Sequence, residues 1–216
     1  MQDQKSFKNE LQYIINSDEF KGGKNLIKAA QAYLRNGAEA STTSSSNDSK
    51  RSNEERALTK FAIAENLWVE ELQLGNYITE GAEQKVFFPL NERFVYKLAD
   101  GIFYKFWFDY FNNLLLHNTF FPSTAYELVG FLKKDDKIHV VIKQPFIVST
   151  EATNLENVKQ FLLANGFIVK KNNDYYNPYL GIILEDLHDE NVLTSDGILF
   201  FVDTVFYIMN EFHGPA

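Results

Sequence analysis

The chain has 216 residues and no cysteine, and 45% of its residues are hydrophobic. This predicts one globular domain, or one domain with a small appendage, and excludes disulfide scaffolds, zinc–thiolate sites and thiol nucleophiles. A formal charge of −8 argues against a nucleic-acid partner, because phosphate binding needs a positive field. No apolar run reaches the length of a signal peptide or a membrane span, so we expect a cytoplasmic protein without a membrane partner.

The N-terminal quarter of the sequence has two contrasting parts. Residues 1–40 carry two runs of helix-spaced apolar residues around a Gly-Gly pair, which predicts a helical hairpin. Residues 41–56 contain no large apolar side chain and predict a polar linker, because burial cannot offset the entropy of ordering them. A further helical pattern then begins at Leu58 and leads into Gly75.

Short strand-like runs dominate after Gly75, which makes α+β the predicted fold class. A helical block at 102–116 separates two pairs of them, and an amphipathic helix is predicted over Asn154–Asn165. His117 follows the first of these helices and is expected to cap its carbonyl groups rather than to act as a base. The predicted strands are 84–88, 94–98, 125–133, 137–142, 167–170, 180–184, 191–193 and 198–202.

Three oxygen-bearing side chains surround the last predicted hairpin. If its turn is centred on residues 195–196, antiparallel pairing places Asn191 opposite Phe200 and brings Asp203 beside the segment from Asp186 to Asn191. One carboxylate and one amide oxygen suit Mg²⁺, and a second carboxylate can orient a hydroxyl nucleophile. A hairpin whose polar ends simply face water explains the same spacing, and local sequence does not separate the two interpretations.

The spacing Asp186-Leu-His-x-x-Asn191, followed by a strand, a turn and apolar-apolar-Asp203, resembles the catalytic and magnesium loops of the protein-kinase-like superfamily. The closest form is its aminoglycoside-phosphotransferase branch, which has Asp-Leu-His in this loop. The resemblance implies that Asp186 is the catalytic base. It also implies that Asn191 and Asp203 hold Mg²⁺ and that ATP is the phosphoryl donor.

Upstream segments extend this resemblance in the expected order. A turn with one glycine, Gly81, opens a strand where kinases have their phosphate-binding loop, and Lys97 stands at the position of the phosphate-contacting lysine. Asp109 is the nearest candidate for the carboxylate that pairs with this lysine. Gln144 and Phe146 fall in the hinge, where backbone groups meet the adenine. These five residues are the implied nucleotide-binding set.

A more specific resemblance covers Ala57 to Tyr207, to the kinase-like domain of the polyvalent proteins of phages and mobile elements. It implies a two-lobed kinase-like domain at 57–210 with a small antiparallel N-lobe sheet (about 73–143) and an abbreviated C-lobe (about 148–210). The matching segments are Gly81-x-Glu83-x-x-Val86, Val95-Tyr96-Lys97, His117-Asn118, Phe121-Pro122, Gln144-Pro145-Phe146-Ile147, Asn165-Gly166-Phe167 and Asp186-Leu187-His188.

Two functions stay open at this point. The first is an ATP- and Mg²⁺-dependent phosphotransferase whose acceptor, a protein Ser, Thr or Tyr or a small molecule, is unknown, with a protein substrate or partner over the cleft. The second is a catalytically silent kinase fold that serves as a binding module, which the single loop glycine and the acidic Glu83 favour. A non-kinase α+β domain with an accidental match is a third option.

Overall fold

The computed structural model describes residues 4–18, 25–39, 47–80, 84–89 and 92–216, and the chain divides into two compact units. We call residues 18–114 and 126–146 the five-strand unit, and residues 1–17, 115–125 and 147–216 the C-terminal unit. The boundary at residues 114–115 falls inside a helix, and the one at residues 146–147 falls in the segment that the sequence predicts as a hinge. No helix of the described ranges is both long and apolar enough to cross a bilayer.

The five-strand unit contains one antiparallel sheet with the strand order β1-β2-β3-β5-β4. The strands are β1 (Asn76–Glu80), β2 (Gln84–Phe88), β3 (Phe94–Ala99), β4 (Glu127–Lys134) and β5 (Lys137–Pro145). The four strands predicted in this region all form. The first strand escaped prediction because all five of its residues are exposed, so it lacks the alternation of apolar and polar side chains that marks a half-buried strand.

One face of this sheet packs on a hydrophobic cluster. Buried side chains of four strands meet Leu74, which lies in a short 3₁₀ helix before β1. The strand residues of the cluster are Phe87, Leu98, Leu132 and Val141. Because adjacent residues of a strand point to opposite faces, the intervening residues of β3 belong to the other face of the sheet.

The five-strand unit also contains α2 (Leu26–Glu39), α3 (Asn47–Ala64) and the first half of α4 (Trp107–Phe120). The fourth helix starts later than the predicted block at 102–116. Gly101 has a φ of +64°, and a Cβ there would lie 2.8 Å from the Trp107 ring, so the chain turns sharply before the helix begins.

Helix α3 corrects the predicted linker at 41–56, because its first ten residues lie inside that range. Polar anchors hold this part of the helix. Arg51 donates hydrogen bonds of 2.6 to 3.3 Å to three carbonyl oxygens in residues 100–104, and the buried Glu54 carboxylate accepts one of 2.7 Å from Trp107 N. Counting large apolar residues in the sequence cannot reveal polar anchors of this kind. Residues 41–46 lie outside the described residues.

The C-terminal unit contains α1 (Gln4–Asn16), the second half of α4 and α5 (Leu155–Ala164). Its strands form a four-stranded antiparallel sheet in the order β11-β8-β7-β6 and a separate β9–β10 hairpin. They are β6 (Ile168–Lys171), β7 (Asp174–Asn177), β8 (Ile182–Glu185), β9 (Val192–Ser195), β10 (Ile198–Phe201) and β11 (Val205–Ile208). The sequence did not predict β7 and β11, although they are as long as the four strands that it did predict in this unit.

The two N-terminal helices form as predicted but belong to different compact units, which differs from a single hairpin at 1–40. In the first helix, Lys8 Nζ donates to Glu211 O (2.9 Å) and Gln12 Nε2 to Gly214 O (2.8 Å). In the second, the Tyr33 ring packs on Phe61 of α3 at 5.5 Å. Helical periodicity locates an apolar stripe on each helix, but it does not identify what that stripe packs against.

Candidate active site

The loop between β8 and β9 carries the Asp-Leu-His-x-x-Asn segment. Asp186 follows the last residue of β8 and has a φ of +66°, a left-handed conformation that asparagine and aspartate tolerate better than most residues. Its amide donates to Asp174 Oδ1 (3.2 Å), and the Leu187 amide donates to Asn173 O (3.3 Å). Leu187 is fully buried while Asp186 is exposed, so the loop fixes its backbone and leaves the Asp186 carboxylate at the surface.

A small hydrogen-bonded group holds this carboxylate. Asn191 Nδ2 donates to Asp186 Oδ2 (2.8 Å) and also to the Asp186 carbonyl oxygen (2.9 Å). His188 Nε2 lies 3.2 Å from Asp186 Oδ1. Each carboxylate oxygen therefore contacts one donor and keeps capacity for another, since an ionised carboxylate offers about four lone-pair positions.

The contacts of His188 define its tautomer. Its Nδ1 accepts a hydrogen bond from Glu190 N (3.3 Å), so in the neutral ring the proton is on Nε2 and points toward Asp186. Asn191 Nδ2 also lies 3.2 Å from this Nε2. Because both nitrogens are then donors, this contact is not a hydrogen bond. His188 thus acts as a donor that orients the Asp186 carboxylate.

The β9–β10 hairpin brings Asp203 to this loop, with a register that corrects the predicted one. Ser195 pairs with Ile198, so the turn is centred on Asp196-Gly197 rather than on residues 195–196. Asp196 and Gly197 have φ values of +50° and +75°, and a two-residue hairpin turn of this kind favours Asp-Gly because both positions need positive φ. Asn191 therefore lies opposite Val202, not Phe200.

Backbone hydrogen bonds join the metal-site candidates directly. The amides of Val202 and Asp203 both donate to Asn191 O, at 2.9 and 3.3 Å. A second ladder supports the same arrangement, because Val205 of β11 pairs with Glu185 of β8. Asp203 and Asp186 therefore lie at the same end of the β8–β11 ladder. The structure thus brings together Asp186, Asn191 and Asp203, the three site residues predicted in the C-terminal unit.

The donor atoms fit a hard divalent cation. Asn191 uses its Nδ2 on Asp186, which leaves its Oδ1 as the atom that can bind a cation, and Asp203 contributes a half-buried carboxylate. In the part of the chain that the structure describes, no group of three or more His, Asp or Glu side chains could hold a metal by itself. Mg²⁺ commonly binds through one or two carboxylates, with substrate phosphates and water completing its shell, and these residues suit that mode.

Two of the five predicted nucleotide-binding residues, Lys97 and Gln144, lie on one sheet face of the five-strand unit. Lys97 lies opposite Val86 on β2 and opposite Ile142 on β5. Gln144 lies opposite Val95, and because directly paired residues share a face, Lys97 and Gln144 are on the same side of the sheet. Both are buried, at 6% and 1% exposure. Gln84, which lies opposite Ala99, is a third buried polar residue on this face.

The Lys97 ammonium lies 5.4 Å from the centre of the Tyr126 ring, a cation–π contact within the five-strand unit. Tyr126 precedes β4 and had no signal in the sequence that singled it out. Gly81, the predicted phosphate-loop glycine, lies outside the described residues.

Asp109 is in the first turn of α4, and burial raises the pKa of its carboxyl group. The positive charges that act on it are Lys50 and Lys105, which partly oppose this rise. Lys50 also lies over the Phe106 ring at 4.0 Å. The described charge environment of Asp109 is thus built around these two lysines, and its pairing with Lys97 stays a prediction.

Phe146 is the last residue of the five-strand unit. Its amide donates to Arg93 O (2.9 Å), and its ring, which is 45% exposed, lies 5.0 Å from the ring of Phe88. The residue is therefore anchored through its backbone while its side chain reaches solvent. This suits the predicted role of the segment, in which backbone groups rather than side chains bind the base.

The α+β architecture, the buried lysine on the third strand and the Asp186–Asn191–Asp203 group are together the parts of a kinase-like domain. The sequence profile of a family described as a serine/threonine/tyrosine kinase found in polyvalent proteins matches residues 51–210. The chain belongs to this family, which confirms the predicted resemblance. A comparison with curated proteins finds no match.

Proposed function

We propose that this protein is an ATP- and Mg²⁺-dependent phosphotransferase in which Asp186 is the catalytic base. The observation that carries the proposal is the Asp186 carboxylate, which is exposed on a hydrogen-bonded loop and held by Asn191 and His188. The kinase family to which the chain belongs supports the same reaction class. The family description also favours a Ser, Thr or Tyr hydroxyl as the acceptor.

Asp186 would receive and orient the acceptor hydroxyl. A general base must lie within about 2.6–3.2 Å of the group whose proton it takes. The Asp186 side chain is 54% exposed, so a hydroxyl can reach it. The hydrogen bonds from Asn191 Nδ2 and His188 Nε2 restrict rotation of the carboxylate. Phosphoryl transfer depends mainly on positioning and electrostatics, so this restriction is the loop's contribution to the reaction.

Asn191 and Asp203 would hold the metal through Oδ1 and the carboxylate. When bound there, Mg²⁺ would neutralise charge on the phosphate oxygens of ATP. The hydrogen bonds from the Val202 and Asp203 amides to Asn191 O fix the spacing between the two ligand-bearing residues. The chain's own role is to keep these two side chains at a constant separation.

Lys97 and Gln144 would bind the nucleotide from the five-strand unit. Lys97 is fixed on a central strand and almost fully buried, so a phosphate oxygen would meet its charge in a medium less polar than water. Gly81 and the backbone around Phe146 would complete the set. We also propose that residues 57–210 form the kinase-like domain and that the protein acts in the cytoplasm.

The chain after Asp203 suggests slow transfer to generic substrates. It enters β11 within two residues and pairs back on β8, so the described residues 203–208 contain no long loop that could form a separate peptide-docking segment. Positioning supplies much of the rate of phosphoryl transfer. We therefore expect weak ATP hydrolysis or self-phosphorylation by the isolated chain, and faster transfer when a specific substrate or partner protein orients the acceptor.

A catalytically silent binding module is the second candidate. The sequence of the predicted phosphate loop favours it, since the loop has one glycine and an acidic residue, Glu83, where phosphate approaches. Such a module could bind nucleotide and use it to stabilise one conformation. Transfer of the γ-phosphoryl group separates the two candidates.

Nucleotide binding and transfer can be tested on the full chain. Isothermal titration with ATP, with and without Mg²⁺, should show metal-enhanced binding. Asp203→Asn should lose that enhancement, and Lys97→Met should weaken binding in both conditions. Lys143→Met is a matched control, because Lys143 makes an ion pair with Glu127 at the sheet surface.

Radiolabelled ATP then tests catalysis. Slow incorporation that Asp186→Asn abolishes supports a phosphotransferase. If ATP binds in a metal-dependent way but neither the unmodified chain nor Asp186→Asn incorporates radiolabelled phosphate, the silent binding module is supported. Unchanged ATP and Mg²⁺ affinity in both Asp203→Asn and Lys97→Met would contradict the proposed site.

A further inference from the structure

A buried histidine at the end of α4 bonds to the residue next to Asp203. His117 has no exposed surface, and its Nδ1 lies 2.7 Å from Thr204 Oγ1. Its Nε2 lies 3.1 Å from the carbonyl oxygen of Thr124. A carbonyl can only accept, so Nε2 carries the proton of the neutral ring and Nδ1 accepts the hydroxyl proton of Thr204. Thr124 follows α4, so this carbonyl belongs to the turn after the helix and not to the helix end, where the sequence predicts the contact. The bond to Thr204 is an additional one.

The turn after α4, which contains Thr124, makes a second hydrogen bond on the other side of Asp203. Thr124 Oγ1 donates to Phe201 O at 2.6 Å. The two hydrogen bonds, from Thr124 to Phe201 and from Thr204 to His117, therefore bracket the dipeptide Val202-Asp203. All four partners belong to the C-terminal unit, and both threonines are buried.

Aromatic packing makes this anchor rigid. The ring of Phe121 stacks on Phe201 with their centres 4.1 Å apart and their planes 11° from parallel, and the His117 ring meets Phe121 edge-on at 5.5 Å. The turn after α4 is thus packed against the end of β10 as well as hydrogen-bonded to it. Movement of the Asp203 backbone would break contacts on one side or the other.

We propose that His117 and Thr204 are positioning residues that fix Asp203 for metal binding. The functional part of this inference rests on the proposed function, because the consequence of a displaced Asp203 is weaker binding of the metal–nucleotide complex. Neither residue is placed in contact with nucleotide or acceptor. Their effect passes through the backbone of residues 201–204.

The test removes one hydroxyl and leaves the side-chain shape in place. Thr204→Val deletes the bond to His117, and Thr204→Ser retains it. Thr119→Val is the matched control, because Thr119 Oγ1 bonds only along its own helix, to Leu115 O at 2.8 Å. Two quantities are measured on the full chain: hydrogen exchange of the Val202 and Asp203 amides by NMR, and the Kd of ATP with and without Mn²⁺ as the probe metal.

We expect Thr204→Val to speed exchange of both amides and to raise the Kd of Mn²⁺–ATP about fivefold, the effect of losing one net hydrogen bond. Metal-free ATP affinity should stay unchanged, and Thr204→Ser and Thr119→Val should match the unmodified chain. Equal exchange rates in Thr204→Val and the unmodified chain would overturn the inference, whatever the nucleotide data show. Equal weakening with and without Mn²⁺ would also overturn it.

The two proposals fail in different ways. If the unmodified chain binds no ATP with Mn²⁺, the proposed function fails, and the functional part of this inference is overturned with it. If the unmodified chain binds Mn²⁺–ATP and Thr204→Val binds it equally well, the proposed function stands and the positioning role is wrong.

Discussion

Substitution of Asn191 tests how the Asp186 carboxylate is held. Asn191→Ala removes the hydrogen bonds to Asp186 Oδ2 (2.8 Å) and to the Asp186 carbonyl oxygen (2.9 Å). These bonds lie on a loop that is largely open to solvent, so their joint loss should cost about 1 kcal/mol, toward the low end for such bonds. In a chain of this size that lowers the melting temperature by roughly 3 °C.

Asn191→Asp should destabilise the protein further. It places a second carboxylate at the 2.8 Å contact with Asp186, where two unit charges in a water-like dielectric repel by about 1.5 kcal/mol. The total cost is then about 2.5 kcal/mol, or roughly 8 °C. Because this repulsion is screened, the difference between the two variants should shrink in 1 M NaCl.

Mg²⁺ should reverse the order of the two variants. Asn191→Asp keeps an oxygen ligand and adds a negative charge, so a bound cation offsets the repulsion, while Asn191→Ala has lost the ligand. Differential scanning fluorimetry with Mg²⁺, against NaCl of matched ionic strength, measures this. Asn165→Asp serves as a control, since Asn165 Nδ2 bonds a helix-end carbonyl, Phe161 O, and no Mg²⁺-specific rise is expected there. The reasoning is refuted if Asn191→Asp melts with the unmodified protein in low salt, or if Mg²⁺ raises its melting temperature no more than that of Asn191→Ala.

Two stability predictions follow from other parts of the structure. Burial raises the pKa of Glu54, so the folded protein binds its proton more tightly than the unfolded chain, and stability should fall as pH rises from the ordinary carboxyl pKa of 4.5 through the raised value. Urea titrations from pH 4 to 8 should show a smaller decline for Glu54→Gln, and a slope equal to that of the unmodified chain would contradict this assignment. Gly197→Ala should lower the free energy of unfolding by about 1–2 kcal/mol, because Gly197 has a φ of +75° but a Cβ there would meet no other atom. Gly181→Ala should lower it more, because a Cβ there would lie 2.1 Å from Phe212 N. Equal urea midpoints for the two alanine variants would show that this close approach does not exist.

The sequence predicted those parts of the fold in which side-chain alternation and turn chemistry agree. Strands β2 to β5 formed where the alternation placed them. Asp135 and Asp136, which both have positive φ, form the turn that joins β4 to β5. The start of α3 could not be predicted in the same way, because the anchors at Arg51 and Glu54 are polar and their partners lie about 50 residues away.

The candidate site was predictable in its residues but not in its register. Asp186, Asn191 and Asp203 follow from one short segment, because a hairpin joins them. The shift of the turn to Asp196-Gly197 depends on which two residues adopt positive φ, and sequence spacing leaves that choice open. The contact of His117 with Thr204 links residues 87 positions apart, so no local pattern could reveal it.

The β8–β11 ladder has a consequence for how the Asp186–Asn191 loop folds. Residues 182–208 begin and end in strands that pair with each other, and the β9–β10 hairpin lies between them. Most contacts that shape the loop therefore span fewer than thirty residues, and such low contact order favours rapid formation. A segment closed in this way should open and close as one cooperative unit, so hydrogen exchange across it should follow a single local free energy. Selection could then alter the proposed nucleotide-binding residues of the five-strand unit while leaving the geometry of this closed segment intact.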